Sequence, residues 1–333
     1  MIPEEGRILS PAILLALGAC AVALGTVGLV AAGGSVQQET EPTRVAEVVE
    51  VMPDIAGLGA HRVGMVTATH PLLPARFHGI DDEILASPML HHPPFAAEVE
   101  VWVEKWSSTF SRSMPTYLER RTSFSEVVDV TLDERRLPPA LRYRPVVDSG
   151  SSPTAVSSAS AVGMWQFMAP TARDLGVEVT PLVDDRRDPF VSTGAAAEYL
   201  DFLHGKYGSW FLALAAYNAG PDRIDGLLER YLPDVEPSDA VYWALRNVLP
   251  TETAAFVPNF LGAVIVASDP VAYGYAAPRP NPFDFESVPV RGSVSFATVA
   301  RATGTSTDEI ARLNPRIVVS LGDSFDDDAC AAA

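Results

Sequence analysis

The segment between residues 95 and 270 carries the signals of helices and shows no sustained alternation of apolar and polar residues. Its clearest feature is an apolar stripe at spacings of four, three, four and four residues, which is the period of one helix face. The stripe consists of Phe95, Val99, Trp102, Trp106 and Phe110. A half-buried strand would need a period of two. The pattern therefore predicts a mainly α-helical domain.

Caps and breakers indicate where individual helices begin and end. Pro93-Pro94 suits a first helical turn. A Ser or Thr followed three residues later by Glu has the form of a capping box, and this predicts helix starts at Ser123 and Thr131. Further helices are predicted from about Pro139 to Asp148, from Pro189 to Gly205, and from Trp210 to Ala219.

Residues 8–36 contain no charged side chain. A run of this length predicts a transmembrane helix or a long export signal, so we expect the rest of the chain to lie outside the cytoplasm, attached to the membrane or secreted. Cys20 follows Leu17-Gly18-Ala19, which is similar to a bacterial lipobox, and lipidation at Cys20 is one interpretation of it. The only other cysteine is Cys330, so no stabilising disulfide is expected.

The formal net charge of -18 argues against nucleic acid as a partner, because phosphate binding needs clustered Lys and Arg. Several histidines lie between residues 61 and 92, but they lack acidic or Cys partners at ligand spacing. We therefore predict no metal site and no cofactor.

The most informative motifs lie between Leu137 and Gly220. They include Asp148-Ser149-Gly150, then Ser157 nine residues beyond Asp148 and Gln166 eighteen residues beyond it, and finally Tyr217-Asn218-Ala219-Gly220. In this order and spacing the motifs resemble the catalytic domain of the lytic transglycosylases, lysozyme-like helical enzymes that cut the glycan strands of bacterial peptidoglycan. The membrane-bound type D subfamily is the most similar, and the resemblance covers roughly residues 95–315.

The resemblance implies a role for each motif residue. Asp148 stands where the family has its single catalytic acid/base. This group protonates the oxygen between N-acetylmuramic acid and N-acetylglucosamine, and then deprotonates the C6 hydroxyl so that a 1,6-anhydro ring closes. The resemblance also implies substrate contacts near the acid, which fall on Ser157, Gln166, Met168, Tyr217 and Asn218. The family's tyrosine is thought to hydrogen-bond near the catalytic carboxyl.

Three positions depart from the family pattern. Asp148 replaces a glutamate, and one methylene fewer withdraws the carboxyl by roughly 1.5 Å. A misplacement of about 1 Å can cost on the order of 100-fold in rate. Ser151 replaces an aromatic residue, which we expect to open the pocket and to lower the pKa of the acid by admitting water. Phe256 replaces a tyrosine and lacks its hydroxyl.

Two alternatives to an active or attenuated transglycosylase stay open. The first is a peptidoglycan-binding or scaffold protein that kept the groove and lost the reach of the acid. The second is a hydrolytic lysozyme in which Glu252 acts as a second carboxylate, although its context suggests a structural role. Product chemistry separates the enzymes, because a transglycosylase leaves an anhydro end and a hydrolase leaves a reducing end.

The predicted domain organisation follows from these segments. It comprises a membrane anchor or signal at 1–36, a linker at 37–92, the transglycosylase-like domain at 93–277, a LysM-like module at 283–320, and a disordered tail at 321–333. In the small α+β module we predict a strand at Val288–Val290 and helices at about Ser295–Thr303 and Thr307–Leu313. We expect a monomer.

Overall fold

A computed structural model describes residues 73–77, 80, 82–289 and 294–318 of the 333-residue chain. The predicted anchor at 1–36, the lipidation of Cys20 and the disordered tail at 321–333 lie outside these residues. Within them the regular secondary structure is helical, and β-pairing is limited to isolated bridges. The prediction of a mainly α-helical fold is confirmed.

The α-helices follow one another along the chain with short 3-10 turns between several of them. Their bounds are α1 Pro93–Ser107, α2 Met114–Glu134, α3 Arg144–Ser149, α4 Ala169–Asp174, α5 Pro189–Tyr207, α6 Trp210–Ala219, α7 Pro221–Tyr231, α8 Asp239–Ala244, α9 Thr251–Ser268, α10 Phe296–Thr303 and α11 Thr307–Leu313. The predicted helices at α1 and α6 are confirmed, but α1 ends at Ser107 and the last residue of the predicted stripe, Phe110, lies in the turn beyond it. The one predicted from about Pro139 forms a 3-10 turn that leads into α3.

The core is built around α6 and α9. Every residue of α6 from Trp210 to Ala216 is buried, and α6 packs against α5, α7, α8 and α9. Helix α9 is long and apolar enough to cross a bilayer by composition alone, but 67% of it is buried inside the fold, as expected for a core helix. Helix α1 packs along α9 and crosses it at Gly262.

Two predictions of helix bounds were wrong. No helix starts at Ser123 or Thr131, because both lie inside the 21-residue helix α2. The Thr131 hydroxyl donates to the carbonyl of Val127, four residues back, at 2.7 Å. This bond satisfies the hydroxyl within the helix, so Thr131 does not need to cap a helix start. Helix α5 runs past Gly205 and ends at Gly208, where a left-handed φ of 59° closes it.

Part of the predicted linker contributes to the core. Leu73, Phe77, Ile84 and Leu90 are each 3% exposed or less, and they belong to the same hydrophobic cluster as the helices. The carboxyl of Asp82 accepts hydrogen bonds from the backbone of this segment and from the Ala140 N–H at 2.6 Å. This segment is therefore packed before α1 begins.

The C-terminal segment has two helices but no described strand of its own. Helices α10 and α11 match their predicted bounds, whereas Val288 and Ser287 are not in a strand and Val290 lies outside the described residues. The extended end instead pairs with the preceding domain through a bridge between Val183 and Ile317. A LysM-like module therefore stays a prediction.

Candidate active site

Asp148 lies in the last turn of α3, a six-residue helix that ends at Gly150. Gly150 has a φ of 59°, and a Cβ built there would lie 2.3 Å from the Tyr117 ring. The position therefore requires glycine for two reasons, the left-handed backbone and the close approach of an aromatic ring. This sharp end of the helix leaves the Asp148 side chain buried, with 5% of its surface exposed.

The carboxyl of Asp148 is paired with a buried cation. The Nε atom of Arg144 lies 3.2 Å from Oδ2 of Asp148, one helical turn away. Burial raises the pKa of Asp148 to about 6, even though the positive charge of Arg144 lowers it and the negative charge of Glu252 adds a smaller increase. At neutral pH a carboxyl with this pKa exchanges its proton readily, as a general acid/base must.

Ser149 connects α3 to the loop that follows it through hydrogen bonds. Its hydroxyl donates to the carbonyl of Met164 at 2.9 Å and to that of Pro145 at 3.1 Å, and it accepts from the N–H of Ser152. A single side chain therefore links α3 to the segment that carries Gln166. The serine of the Asp-Ser-Gly motif acts here as a structural residue.

Ser157 and Gln166 belong to one loop that is closed by its own hydrogen bonds. The Ser157 hydroxyl accepts from the N–H of Ala161 at 3.0 Å, and the Gln166 amide donates to the carbonyl of Gly163 at 2.7 Å. Gln166 holds a left-handed φ of 49°, which is uncommon for a residue with a side chain. Both polar residues are half-buried, so each keeps part of its surface open to a ligand.

Tyr217 lies on the other side of the buried carboxyl, near the end of α6. Its hydroxyl donates to the carbonyl of Trp165 at 3.1 Å rather than to Asp148. Its ring packs against Phe167 and against the guanidinium of Arg144, whose central carbon lies 3.4 Å from the ring centroid. Burial raises the pKa of Tyr217 above its ordinary value, so the hydroxyl keeps its proton and remains a donor.

Asn218 joins α6 to the start of α9. Its carbonyl oxygen accepts from the Thr253 hydroxyl at 2.7 Å, and its amide lies 3.4 Å from Glu252 Oε1. Glu252 is exposed, and its charge acts on Asp148. Asn218 therefore positions Glu252, the residue considered in the sequence analysis as a possible second carboxylate.

Met168 and Ser151 differ in their exposure. Met168 is 42% exposed at the start of α4, where it is accessible to a ligand. Ser151 is 1% exposed and borders a cavity of about 10 Å³ on the side of Arg121 and Arg142, a space that holds at most one water molecule. Ser151 is therefore buried rather than open to solvent, and the Asp148 side chain stays buried with a raised pKa. The lower pKa expected relative to an aromatic residue at position 151 stays a prediction.

Sequence reasoning missed Arg144. The signal was present, because an Arg and an Asp four residues apart on a helix share one face. It was hidden because Arg144 and Pro145 begin a helix of only six residues, which is too short for a period to be read. Among the described residues, no group of three or more His, Cys, Asp or Glu side chains is placed to hold a metal ion.

Comparison with known proteins gives a consistent result. Residues 133–230 match the Transglycosylase SLT domain family. The chain is similar to membrane-bound lytic murein transglycosylase D of Escherichia coli, with 31% identity over 183 residues that cover 54% of this chain and 40% of the relative. It is also similar to a putative tributyltin chloride resistance protein of an Alteromonas species, with 34% identity over 94 residues that cover 28% of this chain and 45% of that protein.

A solved structure of the lytic transglycosylase Slt from Pseudomonas aeruginosa, an inactive mutant, aligns with a TM-score of 0.36 and 24% identity over 47% of this chain and 25% of that one. The chain spans 40% of the length of the E. coli relative. The segment that matches the Transglycosylase SLT domain family lies within the helical part of the chain and contains Asp148, Gln166 and Tyr217. The resemblance of this protein to the lytic transglycosylases, predicted from its motifs, is confirmed.

Proposed function

We propose that this protein is a peptidoglycan lytic transglycosylase that cleaves the β-1,4 bond between N-acetylmuramic acid and N-acetylglucosamine and forms a 1,6-anhydro product. The observation that carries the proposal is the buried carboxyl of Asp148 at the position of the family acid. Its pKa of about 6 lets one group serve as acid and then as base. The SLT match and the similarity to a murein transglycosylase support the substrate class.

Asp148 carries the proton in both steps of the proposed reaction. Protonated Asp148 donates to the glycosidic oxygen as the C1–O bond breaks and positive charge develops on the muramic ring. The resulting carboxylate then removes the proton of the C6 hydroxyl, whose oxygen forms a new bond to C1. The proton returns to Asp148 and no water is consumed.

The surrounding residues have proposed roles that follow from their placement. The half-buried loop residues Ser157 and Gln166 contact the sugars, and the exposed side chain of Met168 lines the groove. Tyr217 holds the loop through the carbonyl of Trp165 and so fixes the wall beside the acid. Asn218 holds the start of α9 through Thr253.

The test is a digest of purified sacculi by the full-length protein, with products read by mass spectrometry. We expect 1,6-anhydro muropeptides from the natural protein and none from Asp148→Ala. Asp148→Glu restores the missing methylene. Because a misplacement of about 1 Å can change the rate on the order of 100-fold, we expect this variant to release product faster than the natural protein. Product release that is unchanged by Asp148→Ala would contradict the proposal.

Two other outcomes of the same digest identify the alternatives. If only Asp148→Glu releases anhydro products, the natural protein is a binding protein that has lost catalytic reach. Reducing ends in place of anhydro ends would indicate a hydrolase, for which the exposed Glu252 near Asp148 is the candidate second carboxylate.

We further propose that the protein acts in the cell envelope, on the periplasmic side, attached to the membrane through residues 1–36 or through a lipid on Cys20, or released after cleavage. Peptidoglycan glycan strands are then its partner, and nucleic acid is not. We propose that it is a monomer. The proposed domain organisation stays that predicted from the sequence, with the packed segment from Leu73 onward added to the catalytic domain.

A further inference from the structure

Arg144 is one of the largest fully buried side chains of the described fold. It begins helix α3, and only 2% of its side chain is exposed. The guanidinium of an arginine carries its positive charge throughout the physiological pH range. Burying such a charge costs several kcal/mol unless opposing charge or other favourable contacts offset the loss of water. The surroundings of Arg144 therefore need an explanation.

The guanidinium has few hydrogen bonds and is surrounded by aromatic faces. Its Nη1 atom has no hydrogen-bond partner among the described residues, and its Nε faces Oδ2 of Asp148 at 3.2 Å without good hydrogen-bond geometry. Its central carbon lies 3.4 Å from the Tyr217 ring centroid and 5.3 Å from that of Phe256. The cation–π contacts and the Asp148 carboxylate at 3.2 Å therefore offset the free-energy cost of burying the Arg144 charge.

Two of the sequence departures from the family pattern meet at this cation. Asp148 is one methylene shorter than glutamate, and its Oδ2 lies 3.2 Å from Nε of Arg144, one turn back on the same helix. Phe256 lacks a hydroxyl and presents its ring to the same guanidinium. Asp148 and Phe256 therefore both contact the guanidinium of Arg144.

We propose that Arg144 is a positioning residue for Asp148: it holds the carboxyl in a fixed orientation in the groove and stabilises the carboxylate left after proton donation. This inference deepens the proposed transglycosylase function and rests on it. In the first step the proton of Asp148 goes to the leaving glycosidic oxygen. The carboxylate then stays beside Arg144 until it takes the C6 hydroxyl proton and C1–O6 forms.

Other charged groups around Asp148 do not replace Arg144. Glu252 of α9 opposes ionisation of Asp148, and Tyr217 of α6 is a neutral donor. The groups that α2 and the 3-10 turn bring near α3 pair with one another, since Asp129 lies within 3.6 Å of both Arg121 and Arg142. Arg144 is the cation whose charge acts on Asp148 in the described part of the chain.

The test measures the ionisation of Asp148 directly, in the full-length protein labelled with ¹³C at its aspartate carboxyls. The Asp148 signal is identified by its loss in Asp148→Asn. An opposite charge within a few ångströms typically moves a pKa by about 1–3 units. We therefore expect Arg144→Met and Arg144→Gln to raise the titration midpoint of Asp148 by about one unit or more, and Arg144→Lys to keep it nearer the natural value.

Arg246→Met is the matched control. Arg246 also lies over an aromatic ring, that of Trp243 at 4.4 Å, and its charge is not among those that act on Asp148. We expect it to leave the midpoint unchanged. Equal midpoints in the natural protein and both neutral Arg144 variants, or an equal shift in the control, would overturn the proposal. If Arg144→Met does not fold by circular dichroism, Arg144→Gln decides.

Turnover supplies a second and separable readout. In sacculus digests we expect the falling limb of the pH–rate profile of Arg144→Met to move to higher pH by the same amount as the midpoint, and the plateau rate to drop as the carboxyl loses its orientation. An unmoved limb would count against the proposal. If no variant turns over substrate, the proposed function fails, while the carboxyl titration still decides what Arg144 does to Asp148.

Discussion

Burial changes the pKa of Asp148. In water the pKa of an aspartate is too low for the general acid role that we propose for this residue, and burial raises it. An aspartate in water is ionised at neutral pH, with a pKa of about 3.9. Desolvation in the fold raises the pKa to about 6, and Arg144 limits the rise. The two effects together leave a group that is protonated often enough to donate and ionised often enough to accept.

This balance predicts how activity depends on pH. The first step needs protonated Asp148, so we expect the rate of product release from sacculi to fall as pH rises above about 6, approaching tenfold per pH unit. Initial rates between about pH 5 and pH 8 measure this. The control assays use sacculi that have been pre-digested to the same extent at every pH. They show whether a change in substrate solubility, rather than in Asp148, alters the rate. A rate that stays level through pH 8 would mean that Asp148 is not the acid.

The glycine after the Asp-Ser pair predicts a second residue-scale effect. We expect Gly150→Ala to lower the free energy of unfolding by more than about 2 kcal/mol, because a left-handed alanine is strained and its Cβ would lie 2.3 Å from the Tyr117 ring. Gly208→Ala is the matched control. It has the same φ of 59° with no atom within 4 Å, so only the backbone cost of about 1 kcal/mol remains.

Urea denaturation of both variants separates the two costs. The difference between them measures the contact with Tyr117, and a smaller loss for Gly150→Ala than for Gly208→Ala would contradict the close approach seen in the fold. Since Gly150 also ends the helix that carries Asp148, we expect Gly150→Ala to lose sacculus digestion more completely than Gly208→Ala.

At the scale of helices, the contact between α1 and α9 depends on one glycine. A Cβ at Gly262 would lie 2.8 Å from Cβ of Trp102 and 3.0 Å from the α1 backbone. We expect Gly262→Ala to destabilise the protein by about 1–3 kcal/mol, since the two helices must move apart. Thermal or urea unfolding measures this effect.

Gly226 in α7 provides the opposite expectation. It is also helical, but nothing lies within 4 Å of a Cβ built there. Gly226→Ala is therefore expected to stabilise the protein by about 0.5–1 kcal/mol, through helix propensity and a smaller loss of backbone entropy. Gly262→Ala and Gly226→Ala are the same substitution within a helix, but their expected effects on stability have opposite signs. Comparing them therefore tests the helix packing rather than the helix propensity. Stabilisation by Gly262→Ala would contradict the helix contact.

At the scale of the molecule, the C-terminal segment is fastened to the loop that precedes α5. Arg316 Nε lies 2.8 Å from Oδ1 of Asp185, the Asp184 N–H donates to the carbonyl of Arg316 at 2.8 Å, and the Val318 N–H donates to that of Leu182 at 2.9 Å. Asp185 is largely buried, and burial raises its pKa despite Arg316. The same loop reaches the carbonyl of Phe167 through Arg186.

This attachment predicts local opening when its ion pair is removed. We expect Arg316→Ala to speed hydrogen exchange at the amides of Asp184 and Val318 by about fivefold, corresponding to roughly 1 kcal/mol for an ion pair with one partly exposed partner. Arg301→Ala is the control, because Arg301 contacts Thr298 of its own helix. Unchanged exchange in Arg316→Ala would show that the backbone bridge alone holds the segment.

Much of the fold and the site could be predicted from the sequence because the relevant signals are local. The helical period, the Pro and Gly breakers and the order of the Asp148, Gln166 and Tyr217 motifs are all read within short windows. One failure was a local conflict. The hydroxyl of Thr131 had two ways to bond, as a cap or back into its own helix, and only packing along the full length of α2 decided between them.

The sequence by itself determined the helical class, the resemblance to the lytic transglycosylases and the candidate acid. Only the tertiary structure decided that Arg144 lies against Tyr217 and Phe256 beside that acid, that Ser151 is buried, and that residues 316–318 pair with the loop near Asp185. The physical reason is that propensity and period act between neighbours along the chain. Burial, charge pairing and aromatic contact depend on residues up to more than a hundred positions apart, which only the folded chain brings together.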